Sequence, residues 1–230
     1  MSKKTISAIF AALVIATPAV AADWNGLYLG VNAGVGKGSG QFADGCYFCA
    51  TDNFSKMFGT VGAQAGYNWQ IGSAVLGAEA DINWASFEHN GILGTDDSYY
   101  LRERSKLEWF STIRARAGMA VDNTLIYVTA GPAFGGINAP GREFSGGVLN
   151  PSTVATGKTF SVNNIRTGFS GGVGVEIALE NNLSVRGEYL YTDFGVATAY
   201  YSGTCGNYIC SVQNTLTSQT LRVGLNYRIQ

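Results

Sequence analysis

Charge is scarce in this chain. Only 13% of its 230 residues are Asp, Glu, Lys or Arg, and the formal net charge is −1. No segment is strongly basic, so nucleic acid is not a natural partner. Long apolar runs are missing too, apart from one at the N-terminus, which argues against a helical membrane protein. There are four prolines and one histidine, His89, against 31 glycines and 12 tyrosines. So little charge beside so much glycine and tyrosine is unusual for a soluble surface. At this length one domain is the default.

Residues 1–22 read as a signal peptide. Lys3 and Lys4 form a positive start, an apolar stretch follows over 6–16, and Ala19-Val20-Ala21-Ala22 supplies small residues for cleavage before Ala22 or Asp23. Export permits disulfides. Losing Lys3 and Lys4 leaves 13 basic against 16 acidic side chains in residues 23–230.

What the remainder has is alternation. In 57–69 one face carries Met57, Val61, Ala63, Ala65, Tyr67 and Trp69, and the other Thr60, Gly62, Gln64, Gly66 and Asn68. After a tight turn at Ile71-Gly72-Ser73 the pattern resumes with Ala74, Leu76, Ala78, Ala80, Ile82 and Trp84 opposite Gly77, Glu79, Asp81 and Asn83. A period of two denotes strands, and the short turn makes them a hairpin. Similar stretches lie at 25–37, 107–121, 125–137, 164–179, 183–194 and 216–229. In 107–121, Leu107 and Trp109 are expected outward and Glu108 inward. Pro132 is expected to mark a bulge or strand end. Long polar segments at 38–56, 86–106, 138–163 and 195–215 alternate with short turns at Asp122-Asn123 and Glu180-Asn181-Asn182.

An even number of strands, with every short turn at one end, is the layout of an outer-membrane barrel. The expected fold is therefore all-β: an eight-stranded antiparallel transmembrane up-and-down β-barrel with a plugged polar interior, short periplasmic turns and four long extracellular loops. A soluble barrel would turn the apolar face inward. Three features favour lipid outside. Aromatics cluster near strand ends, with Tyr67, Trp69, Tyr127 and Tyr227 at one level and Trp84, Trp109, Tyr189 and Tyr191 at the other. The opposite face carries both charge signs on neighbouring strands. Glu79 and Asp81 should face Arg114 and Arg116, with Glu176, Arg166, Arg186, Glu188, Arg222 and Arg228 nearby. Glycines on that face make room for large side chains. Eight strands enclose only enough space for side chains, so no wide pore is expected.

The start Asp23-Trp24-Asn25-Gly26-Leu27-Tyr28-Leu29-Gly30 resembles the first strand of the small alphaproteobacterial outer-membrane β-barrel family, the porin or opacity-type surface antigens. The hairpin from Tyr67 to Ile82, Arg114-Ala115-Arg116-Ala117-Gly118 and Gly187-Glu188-Tyr189 fit as well. Arg222, Gly224, Tyr227 and Ile229 resemble the signal read by the barrel-assembly machinery, although the chain ends in Ile229-Gln230 rather than an aromatic. The resemblance implies a structural surface protein of the cell outer membrane. Its expected partners are outer-membrane lipid and lipopolysaccharide, the assembly machinery, periplasmic chaperones and host surface molecules. Other readings are a haem or small-ligand receptor, a small-solute porin and a lipid-A-modifying enzyme.

Four cysteines, Cys46, Cys49, Cys205 and Cys210, fall in the first and fourth long segments and read as two loop-stapling disulfides, local pairs being preferred. Zinc and redox readings of the same thiols are weaker. His89, assisted by Tyr99 or Tyr100, is a haem candidate because family members bind haem. Ordinary loop polarity accounts better for it, and no cofactor or metal is expected. Ser86, Glu88 and His89 contain the residue types of a hydrolase relay, but loop polarity again explains them better.

Overall fold

In lipid every backbone polar group must be paired within the protein, so strands can cross a membrane only in a closed sheet. The computed structural model describes residues 22–44, 51–93, 99–145, 154–202 and 209–229. It is such a closed sheet. The strands are β1 (Gly26–Asp44), β2 (Thr51–Ile71), β3 (Ala74–Leu93), β4 (Tyr99–Val121), β5 (Thr124–Ser145), β6 (Val154–Ala178), β7 (Leu183–Ser202) and β8 (Ile209–Ile229). Each pairs antiparallel with its sequence neighbours, and β8 closes on β1 from Leu27↔Ile229 to Asp44↔Val212. The turns at one end are short. Gly72 (φ 62°), Asp122 (φ 54°) and Asn181 and Asn182 (φ 59° and 63°) take left-handed conformations there, which these residue types tolerate.

Leu29, Val31, Val61, Ile82, Ile113, Val128, Val173 and Val223 face outward and are exposed. Arg114, Arg186, Arg222, Glu79 and Asp81 face inward and are buried. Tyr67, Trp69 and Tyr227 mark one border of this outward apolar belt, and Trp84, Trp109, Tyr189 and Tyr191 the other. Beyond the second border the outward positions turn polar, at Lys37, Glu88, Glu108, Asp193 and Gln219.

The structure corrects several expectations. Tyr127 does not belong to the girdle: it points inward and is only 2% exposed. The Arg116 guanidinium stacks 3.7 Å from its ring centroid, and its hydroxyl donates to Glu188 at 3.3 Å. Leu107 points inward and Glu108 outward, because a register shift between Leu107 and Trp109 inserts a residue and flips the alternation above it. Pro132 marks no bulge. The β4–β5 register is unchanged from Thr112↔Ala133 to Ala115↔Ala130, and Pro132 itself pairs with Phe169 on β6.

The largest difference concerns the long segments. The strands run for 19 to 25 residues, whereas about 9–11 suffice to cross the apolar layer. Much of 38–56, 86–106, 138–163 and 195–215 is therefore strand that projects past the membrane. Cys210 lies in β8 rather than in a loop. Cys46, Cys49 and Cys205 lie outside the described residues, as do residues 1–21.

The projecting part is not a continuous cylinder. β2 and β3 pair only from Thr60↔Ala85 down to Ile71↔Ala74, and β6 and β7 only from Phe169↔Asp193 down to Ala178↔Ser184. The other six interfaces continue outward. Above the belt the barrel therefore splits into two four-stranded sheets, β3–β4–β5–β6 and β7–β8–β1–β2. The seam between β2 and β3 is spanned by side chains. Ser86 Oγ accepts the Gly59 amide at 3.0 Å, His89 Nε2 lies 2.9 Å from Asp52 Oδ2, and Phe54 stacks on His89 at 4.4 Å.

Candidate functional site in the lumen and at the outer rim

Inward positions of neighbouring strands fall at common levels, so the lumen is filled in layers. At the short-turn end Trp24, Val75 and Leu125 form a small apolar plug beside Tyr127. Residues before β1 fold across the mouth. The Ala22 amide donates to the Asp122 carbonyl at 3.0 Å and the Trp24 amide to Gln70 Oε1 at 2.7 Å. Arg228 lies over the Trp24 ring, 5.1 Å from its centroid.

Above the plug, Arg116 pairs with Glu176. Sequence position suggested Glu79 and Asp81 as its partners. The register Gly77↔Arg116 instead places it one step nearer the short-turn end, where its long side chain crosses to β6. Ser184 Oγ and Asn226 Nδ2 also donate to Glu176, at 2.5 and 2.7 Å. Tyr28 and Tyr127 line this level, each lying over a glycine of the next strand. A Cβ at Gly66 would meet the Tyr28 hydroxyl at 2.4 Å, and one at Gly174 the Tyr127 ring at 2.3 Å. Only glycine leaves room for the two phenols.

The next layer joins three carboxylates to three guanidiniums. Arg114 reaches Glu79 at 2.6 Å, Asp81 at 2.8 Å and Glu188 at 3.0 Å. Arg222 reaches Glu188 at 2.6 Å and Asp81 at 3.0 Å, and Arg186 pairs with Glu79. Tyr28, which sequence reasoning missed, donates to Glu79 at 2.7 Å and links this cluster to Arg116. Thr112 and Asn83 donate to Asp81 at 2.8 and 2.7 Å. Eight of the ten charged residues expected to face one another in the lumen thus meet in two groups joined by two phenols, Tyr28 and Tyr127, while Arg166 and Arg228 stand outside them. Removing Arg116 leaves Glu176 with two neutral donors only. Arg116→Ala is expected to cost about 3 kcal/mol, seen as a lower temperature for the folded-to-unfolded band shift on unboiled gels.

In the outer half an apolar layer interrupts the polar interior, beside buried polar residues such as Arg166, Asn214 and Ser105. Phe54, Phe58, Phe87, Leu107, Phe110, Ile137, Phe194 and Leu216 form a buried apolar layer above the charges. Phe54 and Phe87 lie in stretches read as loops and Leu107 past the bulge, while Phe58, Phe110, Ile137, Phe194 and Leu216 sit near the outer ends of stretches read as strands and break the polar inward pattern there.

At the outer rim Ser86, Glu88 and His89 engage separate partners. Ser86 Oγ is bound to Gly59, His89 to Asp52, and Glu88 to Arg104 at 2.8 Å. They therefore form no relay. The Arg104 and Asn90 hydrogen bonds hold the Glu88 carboxyl below its usual range, so this contact is present at neutral pH and fades as pH falls. The side chains of Tyr99 and Tyr100 lie outside the described residues; their backbones begin β4. On the last strand Arg222 and Gly224 face the lumen, and Tyr227 and Ile229 face outward.

The sequence model of the outer membrane protein beta-barrel domain matches residues 6–228. The chain belongs to this outer-membrane β-barrel family. It is similar to the 31 kDa outer-membrane immunogenic protein of Brucella melitensis, with 31% identity over 93% of this chain and 87% of that one. It is also similar to the 22 kDa outer membrane protein of Rhizobium leguminosarum bv. viciae, with 30% identity over 76% of this chain and 66% of that one. Among solved structures it is similar to OprG of Pseudomonas aeruginosa, with 11% identity, a TM-score of 0.47 and coverage of 89% and 98%. This family member is a protein of the cell outer membrane, its belt facing lipid. Its two relatives named here are outer-membrane proteins, one of them called immunogenic.

Proposed function

We propose that the protein is a structural, non-enzymatic surface protein that supports envelope integrity and presents its outer strands and their connections to the exterior. The observation that carries this reading is the filled lumen. Four guanidiniums and four carboxylates neutralise one another there, between an aromatic layer and the Trp24 plug. Such a barrel holds membrane-spanning structure in place without offering a route through it. The belt meets outer-membrane lipid, the polar positions above it meet lipopolysaccharide, and the projecting strands are where host molecules would be contacted. The pattern of Arg222, Gly224, Tyr227 and Ile229 fits delivery by periplasmic chaperones to the barrel-assembly machinery. Two measurements test the reading. Planar bilayers containing the refolded protein are expected to show no stable porin-like conductance. Cells lacking it are expected to become more sensitive to detergent. Large steady conductance, or unchanged sensitivity, would overturn it.

A further inference from the structure

Arg166 stands apart from the lumenal network. It lies on β6 three residues above Phe169, the last β6 position paired with β7, so it sits at the foot of the open seam and at the outer border of the belt. Its side chain turns inward and is buried, with 5% exposure. Nη1 donates to the Asn214 carbonyl at 3.0 Å and Nη2 to Asn214 Oδ1 at 2.8 Å. Asn214 in turn donates through Nδ2 to Ser105 Oγ at 3.0 Å. Arg166 Nε has no hydrogen-bond partner among the described residues. Among the described residues Arg166 makes no ion pair, whereas Arg114, Arg116, Arg186 and Arg222 all do.

A guanidinium removed from water without a counter-charge is strongly disfavoured, and bonds to neutral amide oxygens compensate only part of that penalty. The fork geometry of the group suits a planar or tetrahedral oxyanion. The β6–β7 backbone ladder stops below Arg166, after Phe169↔Asp193, although the β7 backbone at 193–195 still lies against Gly168 and Thr167, so the wall beside Arg166 is held by packing and not by rungs. We propose that Arg166, with Asn214 and Ser105, is a receptor for a phosphate-type oxyanion entering at the β6/β7 seam. The anion completes the charge balance of the outer lumen and draws the two projecting sheets together, because Arg166 and Ser105 belong to one sheet and Asn214 to the other.

The test observes the arginine directly. Protein folded in neutral detergent and labelled with ¹⁵N-arginine is titrated with sodium phosphate at constant ionic strength set by sodium chloride. The Arg166 Nε–H resonance is expected to move downfield and saturate. Arg166→Gln should abolish the saturable response elsewhere in the spectrum. Asn214→Asp, which supplies a carboxylate within the protein, should abolish the response while keeping the guanidinium. A second titration uses micelles doped with lipid A. Saturation at least tenfold below the free-phosphate midpoint assigns the site to a lipid head group; saturation with inorganic phosphate alone assigns it to a solute. A response to chloride equal to that for phosphate, no saturable shift with either probe, or an undiminished response in Asn214→Asp would overturn the proposal.

Discussion

Replacing Arg114 by alanine is expected to be the most damaging single change in the lumen, costing about 5 kcal/mol. Arg114 lies within 3.0 Å of Glu79, Asp81 and Glu188 alike, whereas Arg222 reaches the same three carboxylates but Glu79 only at 3.8 Å. Its loss leaves three buried carboxylates facing two guanidiniums, those of Arg186 and Arg222. The energy at stake is the penalty for an unbalanced charge, which is larger than the net worth of the intact pairs. Two companion variants separate this account from simple loss of volume. Arg114→Lys keeps the charge but replaces a rigid fork by a point donor, and it should remain well below wild type. Glu188→Gln added to Arg114→Ala restores the balance of charge and should recover part of the loss. Urea unfolding midpoints of protein refolded into lipid vesicles read all four forms. A wild-type midpoint for Arg114→Ala would show that the cluster is not a structural element.

The second large effect is expected on the opposite face. Ala115 is the next residue along β4 and points outward, midway between Trp109 and Val121 at the two borders of the belt. Ala115→Arg should destabilise the barrel by about 2–4 kcal/mol in a bilayer, because the new charge sits near the middle of the apolar layer. Gln219→Arg, outward but above the belt, should be close to neutral. The contrast between two outward arginines isolates depth in the membrane as the cause. Equal midpoints for the two variants would mean that lipid does not cover the apolar face.

The part of the structure that could be read from the sequence was the part that lipid disciplines. Between the girdles every outward position must be apolar and every inward one must fit the lumen, so a period of two survives, and the facing of Arg114 or Val223 follows from it. Outside the girdles water accepts either kind of residue on the outer face. Strands such as Thr51–Ile71 and Val154–Ala178 continue there as backbone ladders while the hydrophobic alternation lapses. That is why their outer halves resembled loops. Tyr127 misled for a related reason: both faces of β5 are apolar, and only the Arg116 guanidinium over its ring explains its inward turn. The bulge above Trp109 left no mark in composition, although it reverses Leu107 and Glu108. Partner choice within the lumen was least legible. Register brings Arg116 opposite Gly77, yet the length of the arginine side chain selects Glu176 two strands away. Arg166 was visible as an inward arginine, but its lack of an ion-pair partner emerged only in three dimensions.

The two projecting sheets share no rungs above Thr60↔Ala85 and Phe169↔Asp193. Sequence drift in one of them therefore need not be matched, residue for residue, by drift in the other. Matched changes between the halves are then expected only where side chains cross, as Asp52 with His89, Asn214 with Arg166 and Phe54 with Phe87.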